Sequence, residues 1–151
     1  MRIAVIADTH DRLPPALVER ICGADEIWHL GDVTTPPVLA AVQAAGPPVR
    51  VVRGNCDDCP DWPLTLDFEI EGFRVHLTHI PPSEPPPDVH IVLHGHTHVP
   101  RNQVVAGVRF LNPGCITRPN RGAPASHGWL ELRRGQPLRW RLLPAPPFHP
   151  R

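Results

Sequence analysis

Residues 2–10 read Arg-Ile-Ala-Val-Ile-Ala-Asp-Thr-His (RIAVIADTH). The apolar run Ile3 to Ala7 is short and shows no alternation, the pattern of a strand buried on both faces. It breaks off at the polar triplet Asp8-Thr9-His10. Pro14 to Cys22 (PPALVERIC) opens with proline, carries apolar residues at helical spacing and stops at Gly23. Glu26 to Leu30 (EIWHL) reads as a second strand, ending in Gly31-Asp32. Pro36 to Ala45 reads as a second helix closed by Gly46, and Pro48 to Arg53 as a third strand ending in Gly54-Asn55. Strands and helices alternating at this spacing predict a parallel sheet built from right-handed crossovers.

Outward from this half, the pattern changes to hairpins. Leu66, Phe68 and Ile70 alternate with acidic residues, Gly72 turns the chain, and Phe73, Val75 and Leu77 alternate on the way back. Val89 to Leu93 is a further buried strand, ending in His94-Gly95-His96. Two more hairpins turn at Ala106-Gly107 and at Gly135. The expectation is an α/β fold with two packed sheets, helices outside and no internal boundary over residues 1–143. Residues 81–87 (PPSEPPP) read as a stiff extended loop, and residues 144–151 as a proline-rich tail without core residues.

Composition narrows the function classes. The 151 residues balance 15 basic against 15 acidic side chains, and every basic residue is arginine. That balance argues against a stable nucleic-acid partner or an anionic membrane, without excluding a nucleotide-like substrate. No signal-peptide core or membrane-length apolar run is visible, so a cytoplasmic protein without membrane partner is expected. Four cysteines do not make a disulfide framework, and Cys56 and Cys59 form a lone CxxC with an acidic spacer, Asp57-Asp58. A zinc module built on that pair is one alternative, since thiolates are common zinc ligands.

The polar residues fall where strands end. Asp8 and His10 leave the first strand, Asp32 the second, Asn55 the third, His79 the hairpin, and His96 with His98 the later strand. Ligands of open α/β sheets bind outside the carboxyl ends of strands. Singly, Gly-Asp and Gly-Asn are ordinary turn dipeptides and Asp-x-His is an ordinary turn. Five strand exits delivering seven oxygen or nitrogen groups to one edge point instead to metal. Glycines precede Asp32, Asn55 and His96, where a departing chain needs positive φ or close backbone approach. His29 and His94 lie inside strands and read as core histidines, or as residues that orient a ligand from behind.

The pattern Asp8-Thr9-His10, Gly31-Asp32, Gly54-Asn55, His79 and Gly95-His96-Thr97-His98 resembles the signature of the calcineurin-like metallophosphoesterases. Gly54-Asn55-Cys56-Asp57, His94 to Pro100 and Asn112-Pro113-Gly114 are similar to the small YfcE-type phosphodiesterase branch of bacteria and archaea. The resemblance spans residues 1 to about 143. It implies a four-layer α-β-β-α sandwich, two mixed sheets packed face to face with flanking helices. It also implies that Asp8, His10, Asp32 and His98 hold one ion and that Asp32, Asn55, His79 and His96 hold the second, with Asp32 bridging. His10, Asp32 and Asn55 would then serve catalysis as well as ligation. The implied activity is phosphodiester hydrolysis by hydroxide activated between two divalent transition-metal ions, Mn(II) by resemblance, with Fe, Ni, Co or Zn compatible. Phosphomonoesters or nucleotides are the competing substrates, a non-catalytic binding scaffold like the retromer subunit of this fold is the competing class, and a homo-oligomer is compatible.

The chain departs from that pattern in places. Ala7 and Cys115 stand where serine is common, and Ile80 with the proline run replaces the usual Gly-His and the helix after His79. Cys56 stands where wider relatives carry a histidine near the departing oxygen, so leaving-group departure would be the weak step. Only two of the seven ligands are anionic, so two divalent ions would leave a net positive site that attracts phosphate. Histidine-rich ligation without thiolate favours transition metals over Ca or Mg.

Overall fold

The computed structural model describes residues 1–148. It contains ten strands and two helices: β1 (Arg2–Ile6), α1 (Pro15–Ile21), β2 (Glu26–His29), α2 (Pro36–Gln43), β3 (Val49–Val51), β4 (Thr65–Ile70), β5 (Phe73–Thr78), β6 (Ile91–Leu93), β7 (Arg101–Val105), β8 (Val108–Asn112), β9 (Ser126–Glu131) and β10 (Arg139–Pro144). They form two five-stranded sheets, ordered β10-β9-β1-β2-β3 and β4-β5-β6-β8-β7. Both sheets are mixed. In the first, β1, β2 and β3 run parallel and β9 returns antiparallel to β1. In the second, β5, β6 and β8 run parallel between antiparallel edges β4 and β7.

Strand periodicity decides what lies between the layers. Ile3, Val5 and Ala7 join Trp28, Leu30, Val75, Leu77, Ile91, Leu93 and Leu111 in the core between the sheets. Ala4, Ile6 and Ile27 point the other way, against Leu17 and Ile21 of α1 and Val42 of α2. β1 is therefore apolar throughout because both its faces are covered. The two mixed sheets stand face to face, as the resemblance implies.

The helices are not distributed evenly. Both cover the first sheet, and among the described residues none covers the second. On that outer face Val92, Val108 and Phe110 pack with Val89, at the end of the crossover from β5 to β6. The fourth layer of the expected sandwich is thus represented by this crossover rather than by helix. Its sequence explains why: Pro81, Pro82, Pro85, Pro86 and Pro87 have no backbone N–H to give a helix. At the other end of the chain β10 reaches Pro144, the Ala145 N–H donates to Ala125 O at 2.8 Å, and Ala145 packs against the cluster beneath the helices. Residues 149–151 of the tail lie outside the described residues.

One core position is costly. His127, on β9, is fully buried, and neither ring nitrogen has a hydrogen-bond partner. Burial first, then the charge of Arg20, push its pKa down to about 4. The folded chain keeps this ring neutral at a pH where the unfolded chain, with an ordinary histidine, takes up a proton. Its contribution to stability is present above about pH 6.5 and is lost as the pH falls toward 4, the loss reaching roughly 2 kcal/mol by pH 5. His127→Leu should therefore raise the melting temperature over wild type by several degrees more at pH 5 than at pH 8. An offset that stays the same at both pH values would show that the ring is not held neutral.

Candidate metal centre

The site is assembled by strand ends. The parallel strands of the two sheets finish at one edge, and hydrogen bonds tie their exits together. The Asp8 N–H donates to Gly31 O at 3.0 Å and the His10 N–H to Asp32 O at 3.0 Å, joining the β1 and β2 exits. The Gly95 N–H donates to His79 O at 3.1 Å, joining the β6 and β5 exits. Bonds also cross between the sheets: among them, His79 Nδ1–H donates to Leu30 O at 2.7 Å, and the His96 N–H donates to Asp8 Oδ2 at 3.2 Å. Five of the seven residues singled out in the sequence hold positive φ without being glycine: Asp8 (55°), His10 (44°), Asp32 (55°), His96 (70°) and His98 (59°). Such backbone is costly and persists where surrounding structure enforces it.

The glycine before Asp32 has φ +95°, and a Cβ there would lie 2.7 Å from His79 Nδ1. At Gly54 a Cβ would collide with the Asp32 carboxylate, so close approach is what this position needs.

Asp8, His10, Asp32 and His98 each present a donor atom within 4.8 Å of the others. Asp8 is fully buried and Asp32 is 2% exposed. Among the described residues Asp8 Oδ1 has no hydrogen-bond partner. Its neighbours are His98 Nε2 at 3.3 Å and the Nε2 atoms of His10 and His79, both at 3.9 Å. His98 commits its Nδ1–H to Arg118 O at 2.6 Å and His79 commits its own to Leu30 O, which leaves both Nε2 atoms for ligation. A buried carboxylate oxygen ringed by imidazole nitrogens and offered no hydrogen bond is matched by a divalent cation, and these residues fit one.

A second group adjoins the first. Asn55 Oδ1 lies 2.9 Å from His79 Nε2 and 3.1 Å from His96 Nδ1. Asp32 Oδ2 is 3.3 Å from His79 Nε2 and 3.7 Å from His10 Nε2, so the Asp32 carboxylate touches both groups. All seven residues expected from the sequence are brought together.

Burial and neighbouring charges set the two carboxylates apart. Burial, partly offset by the charges of His79 and His98, pushes the Asp8 carboxyl up to about 6. Burial would also raise Asp32, but its bonds to His79 and to the Cys56 N–H outweigh that and hold it well below the usual carboxylate range. Burial lowers the basicity of His79, yet the bond to Asp32 and the charge of Asp8 raise it overall. The two carboxylates thus draw positive charge to the same point from two directions.

The model of the calcineurin-like phosphoesterase superfamily domain matches residues 1–135. The chain belongs to that superfamily. It is 33% identical over 143 residues to a probable metallophosphoesterase of Methanothermobacter thermautotrophicus, covering 83% of each chain. It is 29% identical to phosphodiesterase YfcE of Escherichia coli K12, covering 87% of this chain and 88% of that one. The solved structure of YfcE, a phosphoesterase from E. coli, superposes with a TM-score of 0.71 at 26% identity, over 87% and 88% of the two chains. Vps29 of Entamoeba histolytica in complex with zinc superposes with a TM-score of 0.78 at 21% identity, over 95% and 98%, which shows the shared fold.

The two histidines behind the ligands take the first of their two readings, as core residues: His29 is fully buried and His94 is 1% exposed. His29 and His94 bond to no ligand side chain. His29 Nδ1 accepts the Gly31 N–H at 3.2 Å and its Nε2 meets Thr9 Oγ1 at 3.1 Å, so it braces the backbone between Asp8 and His10. His94 Nδ1–H donates to Gly95 O at 3.0 Å. Burial pushes the two rings down to about 3 and about 4, which keeps both neutral. Cys115 and Thr117 each donate to Asp8 O at 3.2 Å, so the thiol still supplies a donor where serine is common. Cys56 and Cys59 are free thiols outside the four-residue donor group.

Sequence reading gave Asp57 no role of its own, only a place in the CxxC spacer and in the Gly54-Asn55-Cys56-Asp57 motif. Its carboxylate accepts three backbone N–H groups: Asp32 at 2.9 Å, Thr34 at 2.7 Å and Gly54 at 2.7 Å. It clamps the β2 and β3 exits and fixes Asp32 against Asn55. The available signal was an aspartate three residues after a glycine at a strand exit, where it can receive that glycine's N–H. Asp57→Ala leaves three donors without an acceptor and should cost about 2 kcal/mol or more in stability, because each such loss costs about 1–3 kcal/mol when buried. The exposed neighbour Asp58→Ala should stay within about 0.5 kcal/mol of wild type. Urea unfolding of both variants checks this, and an Asp57→Ala chain as stable as the Asp58→Ala chain would remove the clamp.

Proposed function

We propose that the chain is a dinuclear metal-dependent phosphoesterase that hydrolyses phosphodiesters, acting as one domain over residues 1–143. The observation that carries this reading is the buried Asp8 Oδ1, unpaired and ringed by imidazole nitrogens. The resemblance at 29% identity to phosphodiesterase YfcE supports diesters over monoesters. Asp8, His10, Asp32 and His98 would hold one ion and Asp32, Asn55, His79 and His96 the second, with Mn(II) the expected metal. When bound, such a pair lowers the pKa of a shared water and clamps phosphoryl oxygens.

The chain's own residues then divide the remaining work. Asp8 and Asp32 supply the only negative charges among the seven ligands, so two divalent ions held there would leave a net positive edge toward a phosphoryl group. Leu30 O and Arg118 O fix the rings of His79 and His98, which keeps the donor geometry in place before substrate arrives. Cys56 lies next to Asn55, exposed, with its N–H held by Asp32 Oδ1 at 2.9 Å. Its thiol brings no positive charge toward a departing oxygen, so rates should depend steeply on leaving-group acidity.

Reconstitution with Mn(II) should give two ions per chain, and bis(4-nitrophenyl) phosphate should be hydrolysed only by the loaded protein. Asp32→Ala should lose both ions. His96→Ala should lose mainly one, and with it about 100-fold or more in rate, since even partners behind a ligand are worth up to about 100-fold. Metal analysis that returns a single ion overturns the dinuclear centre. Full metal content with no hydrolysis of any phosphodiester or phosphomonoester assigns the chain to the scaffold class instead.

A further inference from the structure

A groove of about 540 Å³ opens beside the ligand cluster, with His96 in its wall. Pro81, Thr97, Arg101, Asn120 and Arg121 complete the part that matters here. It is far larger than one phosphate requires and falls in the range of small-molecule sites. Two guanidinium groups line it and no carboxylate does.

The two arginines are held differently. Arg101 is fixed: its Nε donates to Gln103 Oε1 at 3.0 Å, its Nη1 to His94 Nε2 at 3.2 Å, and its guanidinium stacks 4.5 Å from the Phe110 ring centroid. None of these partners is anionic, so the charge is oriented without being neutralised. Arg121 sits on the loop between β8 and β9, at φ 51°. That loop is hooked to the ligand cluster, because the Asn120 N–H donates to His98 O at 3.1 Å and Arg118 O receives His98 Nδ1–H. Asn120 Oδ1 in turn accepts the Arg121 N–H at 2.9 Å, which sets the backbone from which the side chain leaves. Among the described residues neither arginine has a carboxylate partner within salt-bridge distance. Arg121 is exposed and Arg101, partly buried, keeps its Nη2 donors uncommitted, and unneutralised guanidinium donors suit phosphate oxygens.

We propose that this groove receives a second phosphate of the substrate, next to the phosphoryl group at the ligand cluster, and that Arg121 with Arg101 selects substrates of that class. The preferred substrates are then phosphodiesters or diphosphates in which a further phosphate lies on the His96 side, and simple diaryl diesters are poor mimics of them. This rests on the phosphoesterase reading above, but its test does not need turnover.

Binding of inorganic pyrophosphate and of orthophosphate to the Mn(II)-loaded chain, measured by calorimetry, compares two phosphates with one. Wild type should bind pyrophosphate more tightly, and Arg121→Ala should weaken pyrophosphate about tenfold more than it weakens orthophosphate, the loss expected for one charge-assisted hydrogen bond. Arg121→Lys should recover part of the difference. A kinetic arm uses thymidine 5′-(4-nitrophenyl phosphate) with and without a 3′-phosphate: the ratio of their kcat/KM values should fall about tenfold in Arg121→Ala. Equal weakening of pyrophosphate and orthophosphate, or an unchanged kinetic ratio, overturns the second-phosphate site while hydrolysis of the simple diester persists. If no substrate is turned over, the phosphoesterase reading fails, and the calorimetric difference between the two anions still decides the groove.

Discussion

A carboxylate oxygen sealed from water needs a partner, and in this fold the most deeply placed one, Asp8 Oδ1, has no hydrogen bond. Around it the chain spends its remaining freedom. The inter-sheet core ends at Ala7, one residue earlier, so the charge is set at the very limit of an apolar layer. The other carboxylate oxygen takes the His96 N–H, Asp8 O takes a thiol and a hydroxyl from the loop after β8, and three imidazole nitrogens face the open oxygen. Isolated charge in such surroundings is strongly unfavourable unless a cation answers it. The rest of the edge is arranged so that one can.

The same constraint explains why two sheets are required. The first sheet supplies Asp8, His10, Asp32 and Asn55 from the exits of its three parallel strands, with His10 the one histidine among them. The second sheet supplies His79, His96 and His98, and the bond from His79 to Leu30 O locks the two edges in register. Packing in the core between the sheets sets their separation, and the site inherits it.

Much of this was legible in the sequence, for physical reasons that differ by element. β1 and β6 are short unbroken apolar runs because both faces are covered, and β4 alternates because one face is wet, whereas β5 alternates in sequence although His76 and Thr78 are buried. The polar residues at strand exits stood out against those runs, and the geometry gathers all seven. Other features depend on contacts between distant segments. β7 begins at Arg101, ahead of the apolar pair that marked it, because its early residues face outward on an edge. His127 is buried although nothing adjacent in sequence asks for it; the strand it belongs to lies beneath the helical layer. The orientation of His98 comes from a carbonyl twenty residues away, at Arg118, and no local pattern announces a carbonyl. Asp57 looked like part of an acidic spacer because its three partners are backbone groups, which carry no sequence signature.

The left-handed backbone at Asp8, His10, Asp32, His96 and His98 has a consequence for how such a chain changes over evolutionary time. Each of these positions would be more comfortable as glycine, by an amount on the order of 1 kcal/mol or more. A drift toward glycine would therefore make the polypeptide easier to fold while erasing a donor atom at every step. Selection for stability alone and selection for chemistry pull in opposite directions at these five residues, and the side chains present record which prevailed.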